Sequence, residues 1–167
     1  MSYYGVIFPE FWTGPTGREI RRRGGKDAQL LGLYLATNRH ANMIGLYHLL
    51  SDDVKHETGL SFKAIDKSYQ VMEATEFARF DAATAFVWVR HMARFRLALK
   101  NGDRLDTDDK RVLAINRIYQ KLDPNPFLGA FFDLNSKMLS LKKKREADID
   151  LVVHGKADHS SRGPLKG

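Results

Sequence analysis

The sequence predicts a mostly helical α+β fold in which helices surround one small β-hairpin. Three observations predict it. Apolar residues recur at helical spacing over 26–38, 62–75, 107–122 and 127–144. Glycine and serine stand where helices stop and start, most plainly at Gly59 and Ser61. Two short β-prone runs, 77–81 and 85–89, are separated only by Ala82, Ala83 and Thr84, a hairpin spacing.

The elements follow in order. Residues 3–8 alternate loosely and read as a short strand ended by Pro9. Residues 15–23 read as a short basic helix, stopped by Gly24 and Gly25. Leu30, Leu31, Leu33, Tyr34 and Leu35 make 26–38 a buried helix, 39–42 a polar turn follows, and 43–49 is a short strand or extended segment. Ser51 is placed as an N-cap, with Asp52 and Asp53 in the first turn where the helix dipole favours acids. That helix, 52–58, ends at Gly59, and Ser61 caps a second over 62–75 with Ile65, Tyr69 and Met72 facing the core. Two short helices joined through 58–60 read as a helix-turn-helix. Helix, strand, helix-turn-helix and hairpin in this order are the layout of a winged helix. Beyond the hairpin, 90–100 reads as helical, and Asp106 or Thr107 caps a helix through Leu122. Residues 127–144 read as a last helix, with Lys142, Lys143, Lys144 and Arg145 at its C-terminal end, where cations suit the dipole. From Ala147 the chain is too polar to pack and predicts disorder. The expected division is a winged-helix domain over 1–100, additional C-terminal helices over 101–145 packed on it, and a disordered basic tail over 146–167.

The chain has 167 residues, net charge +7 and no cysteine. Disulfides, thiolate metal sites and a thiol nucleophile are therefore excluded. No apolar run is long enough to span a bilayer, and the N-terminal residues lack a basic start followed by an apolar core. The expected location is the cytoplasm, with no membrane partner. Residues 1–25 carry +2, 26–135 carry +1, and 136–167 carry +4, so the excess sits at the ends. Such ends serve either as solvated surface or as segments that hold phosphate without reading sequence.

Candidate chemistry is sparse. The six histidines show no HExxH and no i, i+4 pair, so they read as structural or surface residues. Asp106, Asp108 and Asp109 form an acidic cluster that suits Mg²⁺, but at a helix start they read as cap and dipole partners. No GxxxxGK[ST] and no GxSxG occurs. The expectation is no cofactor, no metal and no catalytic residue. Phe11, Trp12, Phe86 and Trp88 read as core rather than as a base-stacking platform.

Phe8-Pro9-Glu10-Phe11-Trp12-Thr13, the run 30–38, Gly45-Leu46-Tyr47 and Glu57-Thr58-Gly59 together resemble the N-terminal winged-helix domain of phage replisome organisers and related DnaD-like primosomal proteins. In that family an "FWT" element precedes a helix ending in "TN-x-H", then a "GxY" strand and an "ETG" turn; His40 stands at the histidine position. The match covers about 6–100, and its order and spacing carry it. The resemblance implies origin DNA binding and recruitment of a helicase or its loader, without enzymatic activity. Residues 14–25 depart from it in their Gly and Arg content, and the remainder does not match a helicase-loading domain.

The expected reader of double-stranded DNA is the helix over 62–75. Ser61 and Lys63 lie at its N-terminal end, Lys67 suits phosphate or guanine, and Gln70 suits adenine. Arg79 in the hairpin, Arg21, Arg22 and Arg23 near the N-terminus, and Lys142–Arg145 supply phosphate contacts. A homo-oligomer is compatible with the sequence. The alternatives are a winged-helix transcriptional regulator and a protein–protein adaptor that touches no DNA.

Overall fold

The computed structural model describes residues 5–146. The expected disordered tail lies, past Glu146, outside the described residues. The chain is mostly helical with one small antiparallel sheet. Its elements are α1 (Glu10–Thr13), α2 (Pro15–Thr37), β1 (Leu46–His48), α3 (Ser51–Thr58), α4 (Phe62–Ala74), β2 (Ala78–Asp81), β3 (Phe86–Val89), α5 (Met92–Arg96), α6 (Lys110–Lys121) and α7 (Leu128–Leu139).

The three strands lie in the order β1-β3-β2. β3 is central and pairs antiparallel with both neighbours, Leu46 opposite Trp88 and Ala78 opposite Val89. Because side chains alternate across a strand, the two faces of β3 serve two different cores. Val87 and Val89 join Tyr47, Ala78, Leu31, Ile65 and Met72 beneath α2, α3 and α4. Phe86 and Trp88 join Ile44, Leu46, Ile115, Tyr119 and Phe131 beneath α6 and α7. All four β3 residues are buried, so Phe86 and Trp88 are core residues as expected, whereas Trp12, also expected in the core, is exposed.

α2 is two arms. Gly25 sits inside it at φ 61°, ψ −150°, a conformation essentially confined to glycine. A straight helix would hold Gly17 and Gly32 about 22 Å apart. Here both lie against Phe11, Gly17 under its carbonyl and Gly32 against its ring, so the arms fold toward each other and close on that side chain. The expected stop at Gly24-Gly25 is therefore a sharp bend between two helical arms.

Several expectations are corrected. Residues 5–8 form no strand; Phe8 is spent on Phe95, ring centroids 5.3 Å apart, and its carbonyl accepts the Phe11 N–H as α1 begins. Residues 3 and 4 of that expected strand lie outside the described residues. Ser51 begins α3 without a side-chain cap, the N-cap position being Leu50. The helix over 90–100 shrinks to α5, five residues long. Neither Asp106 nor Thr107 caps α6; Asp109 does, accepting the Arg111 N–H. The delay has a cause. Leu105 is buried in the second core and its N–H is taken by the Met138 carbonyl, and the chain then makes a turn in which the Asp106 carbonyl accepts the Asp109 N–H, so α6 starts only past that turn.

α7 stops at Leu139, where Ser140 turns left-handed at φ 52°. Its Oγ donates to the Leu105 carbonyl. Lys142, Lys143, Lys144 and Arg145 are thus not on a helix end. They lie in an extended strap that runs back along α6.

Candidate nucleic-acid interface

α3 and α4 are joined by a tight turn. Gly59 is left-handed at φ 76°, which a glycine adopts at little cost. Thr58 Oγ1 donates to the Val54 carbonyl and accepts from the Leu60 N–H, and Ser61 Oγ accepts the Ala64 N–H at 3.1 Å. Three side-chain bonds thus hold the turn, and the last of them, from Ser61, caps α4. Its inner face is Ile65, Ser68, Tyr69 and Met72, and Tyr69 stacks on Phe80 of β2 with centroids 4.3 Å apart.

The opposite face of α4 carries Lys63, Asp66, Lys67, Gln70 and Glu73, all exposed. Lys63 and Lys67 are one turn apart, and among the described residues neither has a carboxylate partner. Lys55 of α3 adds a third cation, its Nζ 4.4 Å from the centroid of the exposed Phe62 ring. Sequence reading missed Lys55, because only the angle between α3 and α4 brings it there.

The other expected contacts are dispersed. Arg79 is exposed on β2, opposite Trp88 in the ladder. Its neighbours Ala78 and Phe80 face the first core, so Arg79 points to the other side of the sheet from α4. The hairpin tip 82–85 holds no cation; Thr84 binds Asp81 there through both its N–H and its hydroxyl. On the first arm of α2, Arg22 grips Glu19 through two bonds of 2.8–2.9 Å and Arg23 through one of 3.0 Å. These guanidiniums hold the Glu19 carboxyl down at about 2. Arg21 is exposed beside them.

In the strap, Arg145 is half-buried and donates to the carbonyls of Tyr119 and Leu122, so it satisfies the end of α6. Lys144 pairs with Asp133 at 3.0 Å and Glu146 at 3.3 Å. Lys142 and Lys143 remain exposed.

The residues that carried the family resemblance serve the fold. Asn38 donates to the Tyr34 carbonyl and the Tyr47 hydroxyl, and accepts from the N–H groups of His40 and Ala41. Glu57 accepts the Tyr34 hydroxyl at 2.8 Å and pairs with Arg39 at 3.1 Å. Burial and this bond push the Tyr34 hydroxyl well above its usual range. His40 stands 3.8 Å from Asp53. Among the described residues, no group of three or more His, Asp or Glu is placed to hold a metal ion, and no helix is long and apolar enough to cross a membrane.

No protein-family model, curated protein or solved structure matches the chain.

Proposed function

We propose that the chain is a winged-helix DNA-binding protein of the replication-initiation type, with α4 as its reading helix. The observation that carries the proposal is the outward face of α4, where Lys63, Lys67 and Gln70 stand exposed on a helix whose N-terminus is rigidly capped. The element order from α2 to β3, with β3 between β1 and β2, supports the winged-helix reading. In such a fold the N-terminal residues of the second helix reach base edges in the major groove while flanking cations hold phosphate. Lys55 and Lys63 flank the start of α4, Lys67 is one turn further, and Gln70 offers an amide suited to adenine. Arg79 lies off this face, on the other side of the sheet.

The replication role, with recruitment of a helicase or its loader, follows from the sequence resemblance over 6–100. A transcriptional regulator would use the same face.

The test is anisotropy of a labelled duplex against the Lys63→Ala/Lys67→Ala/Gln70→Ala variant, with thermal melting alongside. Specific affinity is expected to fall by about 1–3 kcal/mol for each base that α4 can no longer read, with the melting temperature unchanged. Wild-type binding by the variant would remove α4 as reader, and an absence of binding by the wild type itself would favour an adaptor.

A further inference from the structure

The groove between α6 and the strap is the second charged surface of the molecule. It measures about 620 Å³ and is lined by Lys110, Leu113 and Arg117 from the helix and by Lys142 and Lys143 from the strap. Some cations elsewhere are paired, Arg22 and Arg23 with Glu19, Arg39 with Glu57, Arg90 with Glu76 and Lys144 with Asp133, while others among the described residues, such as Lys63 and Lys67 on α4, are not. Among the described residues, Lys110, Arg117, Lys142 and Lys143 have no carboxylate partner. Two acids also line the groove, Asp108 and Asp109. Asp109 is engaged by Arg111 at 2.6 Å, so four cations face one uncommitted carboxylate.

The backbone that carries the strap lysines is held in place. Asn116 accepts the Lys142 N–H and donates to the Ser140 carbonyl, and Gln120 donates to the Lys143 carbonyl. Arg145 then ties the strap to the end of α6. Side chains of α6 thus hold the backbone of a lysine-rich segment alongside their own helix, at the cost of gathering like charges. Lys110 and Arg117 lie about 10 Å apart along α6, about three base-pair steps of a duplex measured along its axis. Leu113, 64% exposed, is an apolar residue between Lys110 and Arg117 on the same side of α6.

We infer that this groove holds a phosphodiester backbone of a nucleic acid, independently of α4. The class of partner is that of the proposed function, but the reading helix plays no part. α6 packs on the Trp88 face of the sheet and α4 on the Val87 face, so the two surfaces look in different directions.

The experiment measures how the affinity of the full chain for a 20-base-pair duplex of random sequence depends on salt, by anisotropy over a chloride series. It uses the wild type, an Arg117→Ala/Lys142→Ala/Lys143→Ala variant, the α4 triple variant, and the two sets combined. Loss of the groove cations is expected to reduce the slope of log affinity against log salt by about 2 to 3, in both the wild-type and the α4-variant backgrounds, with melting unchanged. Lysine-to-arginine replacement at 142 and 143 should retain the slope. An unchanged slope in both backgrounds would overturn the inference. If the α4 variant binds like wild type while the groove variant loses affinity, the α4 reading fails and the groove stands.

Discussion

Asn38 shows how much a single amide can fix. It is 8% exposed and joins the end of α2, the turn at 40–41 and the Tyr47 hydroxyl of β1. Asn38→Ala leaves buried groups unpaired at about 1–3 kcal/mol each, so the urea midpoint should fall sharply while the α4 surface stays intact. On α4 the contrast lies between neighbours. Ile65 is fully buried, and Ile65→Ala is expected to cost about 2–5 kcal/mol. Lys67→Ala, with its head in solvent, should melt like wild type and show its loss only in DNA titrations. The inward and outward sides of α4 were legible in the sequence, because Ile65, Tyr69 and Met72 recur at helical spacing. The role of Asn38 was not, since its partner hydroxyl is reached through space and no local pattern announces it.

At the scale of elements, helix ends were the least legible feature. Ser61 caps α4 as its position announced, but Asp106, Thr107 and Asp109 offer equivalent caps, and the turn closed between Asp106 and Asp109 leaves Asp109 at the start of α6. The Asp109 carboxyl is held at about 2 by its bonds to Arg111, against an ordinary 3.8. A depressed carboxyl favours the fold above its unfolded value and ceases to do so as the pH falls through the folded one. Stability from this cap should therefore decline between about pH 4 and pH 2. Asp109→Asn, which still accepts from a backbone N–H, should flatten that part of a pH series of urea midpoints. The bend of α2 was legible in the Gly24-Gly25 pair, whereas α1, one turn long, gives no periodicity to read. Open space surrounds the Cβ position of Gly25. Gly25→Ala should thus cost about 1–3 kcal/mol through backbone conformation alone, measurable by denaturant unfolding.

For the whole molecule, the sheet decides where the chain is divisible. The sequence predicts a boundary at 100, with the later helices packed on the first part. Residues on both sides of that boundary share the second core, Phe86 and Trp88 with Ile115, Tyr119 and Phe131. A fragment of residues 1–100 would bare Ile44, Leu46, Phe86 and Trp88, and apolar area of that extent favours association. It is expected to elute in gel filtration as larger assemblies than the full chain forms. Removing 147–167 should spare the fold. Ending the chain before Leu141, which is buried in the second core, should lower the melting temperature as well as weaken DNA binding. The alternation of Phe86, Val87, Trp88 and Val89 hinted at two covered faces, but which helices cover them depends on long-range packing that no local pattern carries. The same arrangement supplies the protein with its own optical gauge. The sequence has two tryptophans. Trp12 is 50% exposed and Trp88 2% exposed, the latter against the rings of Phe127 and Phe131. Excited together, they should emit as a red, readily quenched indole and a blue, protected one. Acrylamide would extinguish the first and spare the second until α6 and α7 lift from the sheet, so the blue fraction of the emission reports that event without any label.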